Sequence, residues 1–111
     1  MPYEIFTSDN FEKEYKKLLR KYKTLNNTFN DLIQNLKSGN FQTAKPIPGF
    51  SHKVFKIRLG DKQRGKRGGY RVIYFKLEDL KKIYLLSIFS KPDKANISNP
   101  ELVLILKRVK F

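Results

Sequence analysis

Three strand-like runs joined by short connections constrain this chain more than any other feature. They are Val54-Phe55-Lys56-Ile57-Arg58-Leu59, Tyr70-Arg71-Val72-Ile73-Tyr74-Phe75 and Ile83-Tyr84-Leu85-Leu86-Ser87-Ile88-Phe89, each rich in β-branched and aromatic residues. Gly60 to Gly69 joins the first two, and Glu78-Asp79 sits in the turn before the third. A parallel crossover needs about a dozen residues or more, so runs this close in sequence are antiparallel neighbours.

The remaining elements are read around that sheet. Tyr3 to Thr7 alternates and forms a short first strand. Ser8 or Asp9 caps a helix in which Phe11, Tyr15, Leu18, Leu19 and Tyr22 recur at helical spacing, with Glu12, Lys13, Lys16 and Lys17 opposite. A second helical pattern follows at Leu25, Phe29, Leu32, Ile33 and Leu36, after a join marked by Thr24, Asn26 or Asn27, and Gly39 stops it. So brief a join makes an antiparallel helical hairpin. Asn40 to Lys53, with Pro46, Pro48 and Gly49, reads as a loop. Ser98-Asn99-Pro100-Glu101 starts a last helix, either through a Ser98–Glu101 capping box or with Asn99 as cap and Pro100 in the first turn. Leu102, Ile105 and Leu106 give it an apolar stripe. The predicted fold is α+β: a small, mostly antiparallel sheet with the N-terminal helical hairpin on one face and a C-terminal helix. Its order is β-α-α-β-β-β-α, in a single domain over residues 1–111.

Composition narrows the function. The chain has no cysteine and one histidine, His52, so disulfides and a Cys/His zinc site are excluded. Ten acidic residues scattered among twenty-four basic ones argue against a carboxylate metal site; no metal and no cofactor are expected. Met1 to Ile5 lacks the basic region and apolar run of a signal peptide, and no apolar stretch approaches the ~20 residues that cross a bilayer. A cytoplasmic protein with no membrane association is the expectation. The formal charge of +14 draws the chain toward polyanions. Nucleic acid, including the ribosome, is favoured over an acidic protein or an anionic membrane.

Alternation across a strand puts Phe55, Ile57 and Leu59 on one face and Lys56 and Arg58 on the other, the two cations about 7 Å apart. An ordinary solvated face accounts for this pair as well as a phosphate site does. Arg71 joins them if Tyr70, Val72 and Tyr74 point to the core; the strand is apolar on both faces, and pattern alone does not force that choice. Phe75 and Phe89 either stack a base or, more simply, pack in the core. The tip from Asp61 to Gly69 is glycine-rich and basic, and Lys66 and Arg67 there are candidate phosphate contacts. It is not a Walker-type loop, because the spacing differs and no helix follows.

Together, Val54 to Leu59, Gly65-Lys66-Arg67-Gly68-Gly69-Tyr70-Arg71-Val72-Ile73-Tyr74, and Tyr84 to Lys91 resemble the RelE/ParE toxin superfamily of type II toxin–antitoxin systems. The Gly-Lys-Arg-Gly-Gly start is most similar to its HigB branch. The resemblance covers about the whole chain and implies a RelE-like fold. It also implies a toxin that inhibits translation as a ribosome-dependent mRNA endoribonuclease and is neutralised by a cognate antitoxin. By position it assigns the site to Lys56, Arg58 and Arg71, with Arg58 standing where RelE has a lysine. Pro92 and Ser98 stand where RelE has an arginine and a tyrosine; Lys91 matches a neighbouring lysine, and Lys94 adds charge nearby.

Metal-free RNA cleavage uses the 2′-hydroxyl as nucleophile on the adjacent phosphorus. Arg58 and Arg71 suit the growing phosphate charge, since guanidinium forks bind its oxygens in pairs. Lys56 is the candidate base, because neighbouring cations lower a lysine's pKa. Lys91, Lys94 or His52 are left as the acid for the leaving oxygen, although His52 reads more simply as a loop histidine. Two alternatives accompany this reading: a ParE-type inhibitor of DNA gyrase, and a non-enzymatic RNA-binding protein. The expected partners are the ribosome with its mRNA and an antitoxin whose acidic, partly disordered segment folds over the basic face and displaces the C-terminal helix. A monomer is expected when the antitoxin is absent.

Overall fold

The computed structural model describes residues 2–41, 43–61 and 65–111, and between 61 and 68 it describes no side chain. Its elements are β1 (Glu4–Thr7), α1 (Asp9–Lys21), α2 (Leu25–Lys37), β2 (Lys45–Pro46), β3 (Val54–Asp61), β4 (Gly65–Leu77), β5 (Lys82–Ser90) and α3 (Asn99–Arg108). The five strands form one sheet in the order β1-β5-β4-β3-β2. β1 runs parallel to β5, and every other pairing is antiparallel. The α+β architecture and the hairpin connections are those expected from the three long runs.

Two expectations are corrected. The Asn40–Lys53 segment is not all loop, because Lys45 and Pro46 pair with Lys56 and Phe55 as an added edge strand. Two residues carry no alternation to read, and proline is tolerated there because an edge strand leaves one side unpaired. The Gly60–Gly69 connection is also shorter than expected, since β3 continues to Asp61 and β4 begins at Gly65. Backbone pairing does not need apolar side chains, and this stretch of glycines and cations hid it.

Local chemistry sets the helix ends. The Ser8 hydroxyl accepts the Phe11 amide at 3.0 Å, capping α1. α2 starts at Thr24 without a side-chain bond, and just beyond its end Gly39 takes the left-handed conformation at φ 81°. α3 starts with the complete Ser98–Glu101 capping box and carries Pro100 in its first turn. No helix among the described residues is long and apolar enough to cross a membrane.

The hairpin of α1 and α2 covers one sheet face. Phe11, Leu18, Leu25, Leu32 and Leu36 pack there against Ile57, Leu59, Tyr70, Val72, Tyr74, Ile83, Leu85 and Ile88. The opposite face is not open over its whole length. Val54, Ile73, Tyr84, Leu86 and Phe89 are buried there beneath Ile97 and Leu102, with Ile105 and Leu106 alongside. α3 therefore covers much of the face opposite the hairpin, because that face is itself too apolar to face water. A bulge in the β4–β5 pairing, where Ile73 faces Ser87 but Tyr74 faces Leu85, shifts the alternation of β5 by one residue. Before it, Ile83 and Leu85 face the hairpin; beyond it, Ile88 does, and Phe89 turns toward α3.

Candidate functional site

The end of the α3-side face left open carries the cations. With Ile57 and Leu59 buried beneath the hairpin, alternation turns Lys56 and Arg58 to the other side. Sheet register supplies the rest: Arg58 lies directly opposite Arg71 across β3 and β4, and Lys56 directly opposite Lys45 across β3 and β2. Tyr70, Val72 and Tyr74 pack on the hairpin, so Arg71 does join the face of Lys56 and Arg58. Cross-strand partners have Cβ atoms about 4.5–5.5 Å apart. Two rungs of paired like charge thus sit about 7 Å apart along β3.

These four cations, with Thr43, Leu59 and Gly60, line an open cavity of about 720 Å³. No acidic side chain is among the described residues that line it. Like charges directly opposite one another destabilise a strand pair, so this arrangement favours an anion between them. Arg71 is the most committed member. It is half-buried, and its Nη1 is sealed from solvent with no hydrogen-bond partner among the described residues. Burial, followed by the charge of Arg58, pushes its pKa below the usual arginine value. A partly desolvated guanidinium beside a second cation is stabilised by a negative charge placed in the cavity.

Gly69 helps to bring the strands together here. A Cβ at this position would run into the carbonyl oxygen of Leu59, so only glycine lets β3 and β4 approach beside the Arg58–Arg71 pair.

The other candidates are placed differently. Lys91 is exposed one residue beyond β5, its amide donating to the Gly69 carbonyl at 3.3 Å. It stands at the same end of the sheet as Arg71 but outside the cavity lining. Lys94 donates to Glu101 at 2.6 Å and lies over the Phe89 ring at 5.5 Å; Phe89 is the cross-strand neighbour of Arg71 on the β5 side. Lys94 thereby ties the start of α3 to the sheet next to the site. His52 lines a separate cavity with Pro46, Ile47 and Pro48, away from the four cations. The side chains of Lys66 and Arg67 lie outside the described residues. Phe89 is buried, while Phe75 packs against Phe111 with ring centroids 5.0 Å apart. Ser98 is occupied as the α3 cap, and Pro92 is exposed in the connection before it.

Lys45 and Thr43 were not among the sequence candidates. The only sequence signal for Lys45 was a cation next to a proline, which becomes informative once β2 is known to pair with β3.

The chain matches the family model described as RelE toxin of the RelE / RelB toxin-antitoxin system over residues 4–110. Its fold is similar to that of an Escherichia coli toxin RelE, solved as an arginine-to-alanine mutant in the free state. That match has a TM-score of 0.63 at 18% identity and covers 99% of this chain and 100% of the other. It is also similar to a chain of the toxin–antitoxin complex RelBE2 from Mycobacterium tuberculosis. There the TM-score is 0.58 at 17% identity, covering 81% of this chain and 99% of the other.

Proposed function

Because the chain belongs to the RelE toxin family of toxin–antitoxin systems, we propose that its cationic cavity cleaves messenger RNA held on the ribosome. One observation carries this reading: Lys45, Lys56, Arg58 and Arg71 converge on one cavity with no carboxylate in its lining. Such a cavity suits a phosphodiester whose charge grows during reaction.

The chemistry follows from the RNA itself. The 2′-hydroxyl loses its proton and its oxygen bonds to the adjacent phosphorus, and the bond to the 5′-oxygen breaks. A 2′,3′-cyclic phosphate remains on one fragment, and the 5′-oxygen of the other takes up a proton. Arg58 and Arg71 bind the non-bridging oxygens and stay charged throughout. Lys56, once it has released its own proton to solvent, accepts the 2′-proton, and Lys91, at the same end of the sheet as Arg71, protonates the leaving oxygen. The ribosome aligns the strand, a contribution worth roughly 7–11 kcal/mol when the geometry is good. No step needs a metal ion, so the products should carry cyclic phosphate and 5′-hydroxyl ends. A metal-activated water would leave other ends.

The cellular counterpart is an antitoxin with an acidic segment. It neutralises the basic face and competes with α3, whose Leu102, Ile105 and Leu106 pack on the sheet next to the site. This reading places the protein in the cytoplasm with the ribosome.

The test replaces Lys56, Arg58 and Arg71 singly by alanine and maps mRNA ends on programmed ribosomes by primer extension. Loss of Arg71 is expected to slow cutting about 100–1,000-fold, the usual effect of removing one preorganised donor to a developing charge. Parental rates in all three variants would show that the site is wrong. Absence of cutting with retained, salt-sensitive ribosome binding would favour a protein that only binds RNA. DNA damage in place of translation arrest would indicate a gyrase inhibitor.

A further inference from the structure

Behind Arg58 lies a second, smaller cavity of about 190 Å³, between α2 and the edge of β3. It is continuous in its walls with the cationic cavity, since Thr43, Arg58, Leu59 and Gly60 line both. Its chemistry is different. α2 contributes Thr28, Asp31 and Asn35, spaced three and four residues apart and so on one helix face. None of these three side chains has a hydrogen-bond partner among the described residues. α2 buries Leu25, Leu32 and Leu36 against the sheet, and Leu32 lines the cavity beside the three polar residues together with Ile57.

We propose that this cavity holds the base of a nucleotide flanking the phosphate in the cationic cavity, and that it prefers cytosine or adenine to uracil. The inference rests on reading the neighbouring cavity as the phosphodiester site. A carboxylate excludes a second phosphate here, while a hydroxyl, an amide and a carboxylate together suit the edge of a neutral ring. The volume is below the roughly 300–1,000 Å³ of sites for drug-sized ligands, which fits one base and not a dinucleotide. Single-stranded RNA is read in this way, by hydrogen bonds to the exposed edges of unstacked bases.

The preference follows from donor and acceptor order. Cytosine and adenine each present an exocyclic amino group beside an unprotonated ring nitrogen. Asp31 accepts from the amino group, and the Asn35 amide donates to the ring nitrogen. Uracil reverses both positions, placing a carbonyl against the carboxylate. A site built to hydrogen-bond one pattern discriminates against the other because its own polar groups are left unpaired.

Two measurements test this together. In the first, isotope-labelled protein is titrated with cytidine 3′-monophosphate and with uridine 3′-monophosphate, followed by NMR. Cytidine should shift the Asn35 side-chain amide and bind about 10-fold more tightly than uridine, roughly the value of one good hydrogen-bond difference. Asp31→Ala should bring the two nucleotides to within about 2-fold. Asp31 is exposed on α2, and alanine is the better helix former, so the variant retains the fold. In the second, cut sites on ribosome-bound mRNA are mapped. The parent should show adenine or cytosine enriched at one fixed position beside the cut, and Asp31→Ala should lose that enrichment.

Equal binding of the two nucleotides by the parent, or shifts confined to the cationic cavity, would overturn the base site whatever the cleavage result. A parent that cuts with a pattern unchanged by Asp31→Ala would also overturn it while leaving the cleavage reading intact. A parent that never cuts but shows cytidine-selective shifts at Asn35 would support the base site and reject the cleavage reading.

Discussion

Arg58 and Arg71 face each other across two strands, and either would be more stable with a neutral neighbour. A like-charge pair of this kind costs roughly 0.2–1 kcal/mol. Arg58→Gln should therefore raise the melting temperature of the free protein at low salt by about 1–6 °C. The same change should reduce mRNA cutting by about 100-fold; melting curves and primer extension on one preparation check both.

Two carboxylates give opposite pH signatures. Glu14 accepts from Asn10 and from Ser87, both at 2.7 Å, yet burial outweighs these bonds and holds its pKa above the usual range. A carboxyl raised on folding contributes its stability below the unfolded value of ~4.3 and loses it as pH rises through the folded value. Glu14→Gln, which keeps a carbonyl acceptor, should raise the melting temperature at pH 7, with the gain disappearing below about pH 4. Glu78 behaves in reverse. Hydrogen bonds first from Lys81 and then from Tyr3 lower its pKa to about 2. Its contribution is present above ~4.3 and is lost as pH falls from there toward that folded value. Glu78→Gln should lower the melting temperature at pH 7 and match the parent at the acid end, as thermal melts across the acid range will show.

Among the elements, α3 packs on the sheet through a single apolar stripe. Its capping box and fully buried Leu102 hold it, while Val103 and Leu104 face solvent at 40% and 55% exposure. Ser98→Ala should cost about 0.5–2 kcal/mol. The loss should appear as faster amide exchange confined to Asn99–Arg108, with β3, β4 and β5 unchanged. The features written locally were legible in the sequence: the three long strands, the helical hairpin and the Gly39 stop follow from neighbouring residues, and the caps of α1 and α3 were each narrowed to two candidates, of which the structure uses Ser8 and Ser98. What the sequence did not disclose was tertiary. Lys45 joins the site only because β2 adds to the sheet edge, and Arg71 joins it only through a register that an all-apolar strand does not encode. The cover that α3 gives Phe89 depends on the β5 bulge, which breaks the two-residue rule from which faces are read. For the candidate site, alternation put Lys56 and Arg58 on one face and only the resemblance named Arg71, whereas the α2 cavity needed the packing of a helix against a strand.

At the scale of the whole molecule, the charge of +14 sets how the protein meets its partners. Ribosome association should weaken with salt by about 0.7–0.9 logarithmic units per logarithmic unit of salt for each phosphate contact. Lys45→Ala should flatten that slope by about one contact, which binding measured over a range of potassium chloride will report. The two rungs of paired cations have a further consequence. Without a counterion lodged between them, the empty chain is the least stable member of every equilibrium it enters. Any acidic polypeptide or non-cleavable deoxyoligonucleotide that fills the gap then acts as a folding ligand, adding about 2.7 kcal/mol at a hundredfold excess over its Kd. Heat resistance thereby becomes a gauge of occupancy, and the solitary form is the one most exposed to proteolysis.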